Sequence, residues 1–64
     1  MIKKVMNHEE WGEDLQIGRV VKTASGHVEA VLFGRPEIKF TARNFAAAMA
    51  EIRRQRGYPM AYFM

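Results

Sequence analysis

The sequence predicts an α+β fold: a three- or four-stranded antiparallel sheet with one C-terminal amphipathic helix packed on one face. Three observations carry that expectation. Residues 15–24 and 27–33 are both rich in Val, Ile, Leu and Phe, and Ser25-Gly26 separates them, as in a β-hairpin. Residues 37–40 form a further short apolar run behind a Gly-Arg-Pro turn. From 42 to 56, apolar residues recur at helical spacing.

Each element follows from its residues. Residues 2–6 are a short β-prone piece. Residues 7–14, polar and acidic around the single Trp11, read as a loop or as one helical turn with Asn7 as its cap. A two-residue Ser25-Gly26 loop would set Lys22 opposite Glu29, Val20 opposite Val31 and Phe33 over Gly18. Those are favourable cross-strand pairs. Pro36 has no N–H and ends the hairpin; Ile38 and Phe40 share one face of the third strand. Thr41 suits an N-cap and Gly57 a C′ residue, with arginines in the last turn where the helix dipole favours cations. Phe45, Met49 and Ile52 fall on one stripe, beside Ala42 and Ala48. Residues 58–64, Tyr-Pro-Met-Ala-Tyr-Phe-Met, are unusually apolar for a chain end. They fold back as an edge strand, pack on the domain, or dock into another molecule.

At 64 residues the chain has room for one small domain, 1–64, and little surplus for catalytic machinery. The absence of Cys excludes a disulfide framework and a thiolate zinc site. Neither histidine has zinc-type spacing: His8 precedes Glu9 and Glu10 in a solvated acidic loop, and His27 sits at the hairpin tip. Ser25, the only serine, lies in a turn and lacks the strand-turn-helix setting of a nucleophile. The glycines are not at phosphate-loop spacing. The expectation is therefore a non-enzyme with no cofactor, no metal and no small-molecule substrate. No apolar run approaches a membrane span, and the first residues do not read as a signal peptide, so the cytoplasm is the expected compartment.

Net charge is +3, unevenly spread: residues 1–32 carry four cations against five anions, residues 33–64 six against two. In the two-residue-loop register both hairpin faces are apolar. Val21, Val28, Ala30 and Leu32 lie on one side, Val20, Val31 and Phe33 on the other. One helix covers one face only, and a half-exposed antiparallel sheet normally alternates apolar with polar. A cover for the second face must come from Trp11, the C-terminal aromatics, another protein or a second copy of the chain.

Two functional classes follow. The first is a small protein-binding regulator or inhibitor, of the anti-CRISPR or host-takeover type that phages and mobile elements carry. Its contact residues would be Val20, Val31, Phe33, Tyr62 and Phe63. The second is a basic nucleic-acid-binding module that uses Arg43, Arg53, Arg54 and Arg56 with Tyr58 at the helix end. The order hairpin, third strand, helix is similar to that of arm-type DNA-binding domains of phage integrases and of plant AP2-type domains. That resemblance implies a sheet face laid in the major groove, here bearing Lys22 but also Glu29, Val20, Val31 and Phe33. Residues 41–48, Thr-Ala-Arg-Asn-Phe-Ala-Ala-Ala, resemble the last helix of double-stranded-RNA-binding domains without its opening lysines. Neither resemblance assigns a role to any residue.

Overall fold

Backbone geometry at the hairpin tip decides which side chains meet. A two-residue hairpin turn needs positive φ at both central positions, or glycine first. Ser25-Gly26 offers neither. In the computed structural model, which describes all 64 residues, the loop is Ala24-Ser25-Gly26 instead. Thr23 N–H donates to His27 C=O at 2.8 Å, Gly26 N–H donates to Thr23 C=O at 3.1 Å, and only Gly26 (φ 89°) takes the left-handed conformation. The Thr23 hydroxyl also donates to the His27 carbonyl, at 3.0 Å.

The extra loop residue shifts the register by one. Lys22 pairs with Val28, Val21 with Glu29, Val20 with Ala30, Arg19 with Val31 and Gly18 with Leu32. Side chains alternate across a sheet, so a one-residue slip exchanges the faces of one strand against the other. Val20 therefore joins Val28, Ala30 and Leu32, and Arg19 and Val21 join Glu29, Val31 and Phe33. The Lys22–Glu29 and Val20–Val31 pairs expected from the sequence do not form. Leu32, not Phe33, lies across from Gly18. A Cβ built on Gly18 would stand 2.2 Å from the Val31 carbonyl oxygen and 3.0 Å from Leu32 Cδ2, so this close strand approach requires glycine.

The sheet has five strands, not three or four. They are β1 (Ile2–Asn7), β2 (Leu15–Lys22), β3 (Val28–Leu32), β4 (Ile38–Ala42) and β5 (Ala61–Phe63), in the spatial order β4-β3-β2-β1-β5, with every neighbouring pair antiparallel. The fifth strand is the apolar C-terminal segment, which pairs with β1 through Val5–Phe63, Met6–Tyr62 and Asn7–Ala61. An irregularity in the β1–β2 register falls between Val5 and Met6.

One helix, α1 (Phe45–Gln55), lies between β4 and β5 in the chain. It starts later than the expected 42–56 because Thr41 and Ala42 are consumed by pairing with Glu29 and Val28. Asn44 caps it in place of Thr41: its side-chain oxygen accepts from Ala47 N–H at 2.8 Å. Gly57 follows with φ 83°, the left-handed residue that terminates many helices.

Ala48, Met49 and Ile52 of the helix pack with Val5, Val20, Val28, Ala30, Leu32 and Ala61 in one core cluster. Full burial of side chains such as Ile52 and Leu32 contributes very roughly 1.5–3 kcal/mol each. Phe63 meets Phe45 edge-on with ring centroids 5.7 Å apart, and the Lys3 ammonium lies 4.7 Å from the Phe45 centroid and 5.5 Å from that of Phe63. No helix is long and apolar enough to cross a membrane.

Candidate binding surface

With the helix on one side, the other face of the sheet has no second layer. Register places its side chains in rows that run across the strands. One row is Lys4, Arg19, Val31 and Lys39, contributed in turn by β1, β2, β3 and β4. The adjacent row is Ile2, Val21, Glu29 and Thr41. Phe33, just beyond β3, borders the first row on its other side; its N–H donates to the Ile17 carbonyl at 2.8 Å. The Arg19 guanidinium carbon lies 5.9 Å from the Phe33 ring centroid.

This face differs in kind from the one the two-residue loop implies. Val20 and Lys22 leave it; Arg19 and Val21 enter, and β1 adds Lys4. Among the strand residues of the face, three cations stand against one carboxylate, Glu29. Lys39 also has an exposed partner, Glu37 Oε1, at 3.7 Å, a contact that contributes little in water. Val31 is only 2% exposed although it lies outside the helix-side cluster, whereas Phe33 is 44% exposed. Its register neighbours are Arg19 and Lys39, both with long aliphatic stems that can lie along apolar surface. The result is a cationic row over an apolar floor with an open aromatic ring at its border.

Arg53, Arg54 and Arg56 stay together at the helix end, but two of them are engaged within the chain. Arg53 Nε–H donates to the Ala61 carbonyl at 2.8 Å and so ties the helix to β5. Arg56 grips Glu51 through two N–H donors, at 3.1 and 2.7 Å, and its guanidinium lies 5.0 Å from the Phe40 centroid. Arg54 is exposed on the same end. Arg43 is exposed at the opposite end of the helix, roughly 16 Å away along an eleven-residue axis. Tyr58 is half-buried and packs against the core.

The C-terminal aromatics are likewise engaged within the chain. Phe63 packs on Phe45, and Tyr62, on the open side of β5, donates its hydroxyl to Asp14 Oδ2. Asp14 is a hub that no local pattern singles out. Its Oδ1 faces His8 Nδ1 at 3.1 Å and accepts from Glu9 N–H at 3.4 Å. The Tyr62 hydrogen bond is the leading cause that holds the Asp14 carboxyl below its ordinary value. The same bond pushes the Tyr62 phenol up. Two partners 48 residues apart leave no local spacing signal.

Trp11 covers neither face. It stands 93% exposed in the β1–β2 loop, with Glu9, Glu10 and Glu13 around it. Comparison with protein-family models, curated proteins and solved structures gave no match.

Proposed function

We propose that this chain is a non-enzymatic binding module that engages nucleic acid through the open face of its sheet. The observation that carries the reading is the in-register row Lys4–Arg19–Val31–Lys39 beside the half-exposed Phe33. Cations spaced along one line attract a phosphate backbone and release its counterions. The overall charge of +3 assists the encounter. The second class expected from the sequence thus gains support, with sheet residues in place of the helix-end arginines.

Salt titration tests it. Anisotropy of labelled oligonucleotides should give a log–log slope of about −2 to −3, as expected if three cations each neutralise a phosphate. The double substitution Lys4→Glu, Arg19→Glu should abolish binding while leaving the far-UV circular dichroism intact. No binding at low salt, or an affinity flat in salt, overturns the reading.

A second reading, a protein-binding regulator or inhibitor, is favoured by Trp11. Large aromatic side chains dominate interface energetics, and this one is wholly presented to solvent. Its acidic surroundings repel phosphate and suit a basic protein partner. Trp11→Ala should abolish capture of such a partner and leave nucleic-acid affinity unchanged. A second copy on the open face would register as a concentration-dependent mass in light scattering, at the expense of both readings.

A further inference from the structure

The geometry points to single-stranded nucleic acid, rather than a duplex, as the ligand of the open face; this rests on the nucleic-acid reading above. Five strands at about 4.8 Å spacing make a sheet roughly 19 Å across, wider than the ~12 Å major groove. Lys4 and Lys39 are three strand spacings apart, roughly 14 Å, with Arg19 between them. A duplex resting on that row would present phosphates to it and keep its bases stacked away from Phe33. A single strand can run along the row and turn a base onto the ring.

Phe33 is suited to that task. The residue is 44% exposed, and the Arg19 guanidinium over its ring, 5.9 Å from the centroid, adds a second planar group for a base. Val31, between Arg19 and Lys39 in the row, is closed to solvent, so the contacts fall to the cations and Phe33. The carboxylate of Glu29, in the adjacent row, disfavours phosphate there and confines the path to the Lys4–Arg19–Lys39 line. Every base has a π-face, so the selectivity expected is for strandedness and not for sequence.

The test compares a labelled 15-nucleotide single strand, as DNA and as RNA, with the duplex of the same sequence at one salt concentration. Single strand should bind at least 10-fold tighter. Phe33→Leu should weaken single-strand binding about 5- to 160-fold, the range for loss of one stacked base, with the salt slope unchanged. Phe33→Tyr should restore it. A strand carrying 5-iodouracil should photocross-link to the peptide that contains Phe33. Duplex binding equal to or tighter than single-strand binding, or an unaffected Phe33→Leu variant, overturns this inference and leaves the nucleic-acid reading standing. Failure of both ligands to bind overturns the two together.

Discussion

The two faces of one sheet have opposite fates here. On the helix side, Val5, Val20, Val28, Ala30 and Leu32 are each at most 1% exposed and lock against Ala48, Met49 and Ile52. On the other side, Lys4, Arg19, Glu29 and Lys39 stand in solvent around a single closed residue, Val31. The same five strands therefore carry the apolar core on one surface and exposed charge on the other. A substitution should report its face by which measurement it moves.

The sharpest break of that contrast is Ile52→Ala. It opens a cavity under the helix and should cost about 2–5 kcal/mol in denaturant unfolding. For so small a domain that is a large fraction of the total. Gly18→Ala comes next, because its methyl group meets the Val31 carbonyl, and overpacking of this kind costs about 1–3 kcal/mol. The midpoint should fall without a change in m-value. Arg19→Ala should cost about 1 kcal/mol, well short of Ile52→Ala, since it bares Val31 and loses the contact with Phe33 but opens no cavity in the helix-side core. The same variant should lower the salt slope of oligonucleotide binding by about one contact. An Arg19→Ala protein as unstable as Ile52→Ala would erase the division between the faces.

The smallest effect concerns the acidic loop. Asp14 titrates below 3.8 because the Tyr62 hydroxyl stabilises its charged form, so its contribution is complete above that value and is lost as pH falls through the lowered one. Tyr62 titrates above 10.0, so its contribution is complete below that value and is lost as pH rises through the raised one. The loop is thus tied to β5 between about pH 4 and 10. Tyr62→Phe should return the Asp14 titration toward the ordinary carboxylate range, read by NMR of the Asp14 side chain. An unmoved titration would mean that the hydroxyl does not hold it.

Trp11 sharpens the comparison in another way. Its loop is fastened at the base by Asp14, yet the ring itself touches neither face.

Composition and periodicity were enough for the fold class, the two hairpin strands, the third strand, the apolar helix stripe and the use of the C-terminal aromatics as an edge strand or packing element. Those features depend on local preference and on alternation within a few residues. The face assignment was not legible. Whether Val20 or Val21 points at the helix depends on one residue of loop, and the charge-pairing argument for Lys22–Glu29 pulled toward the wrong register. The turn's requirement for a single left-handed glycine outweighed an exposed ion pair of small worth. The start of the helix shifted for a related reason: strand pairing by Thr41 and Ala42 claimed residues that propensity alone allows to a helix.

Composition and alternation supplied apolar strands and one amphipathic helix to cover them, with more cations than acids in the chain; the apolar second face they also implied did not form, because Val20 turned to the helix side. Which cations share a surface was settled by strand register in the folded chain. Arg53 and Arg56 were drawn into tying down the helix end, while Lys4, Arg19 and Lys39, from three separate strands, were brought into one row. The physical reason is that register couples distant segments, and one extra turn residue at Ala24 reverses the side on which every later partner is met.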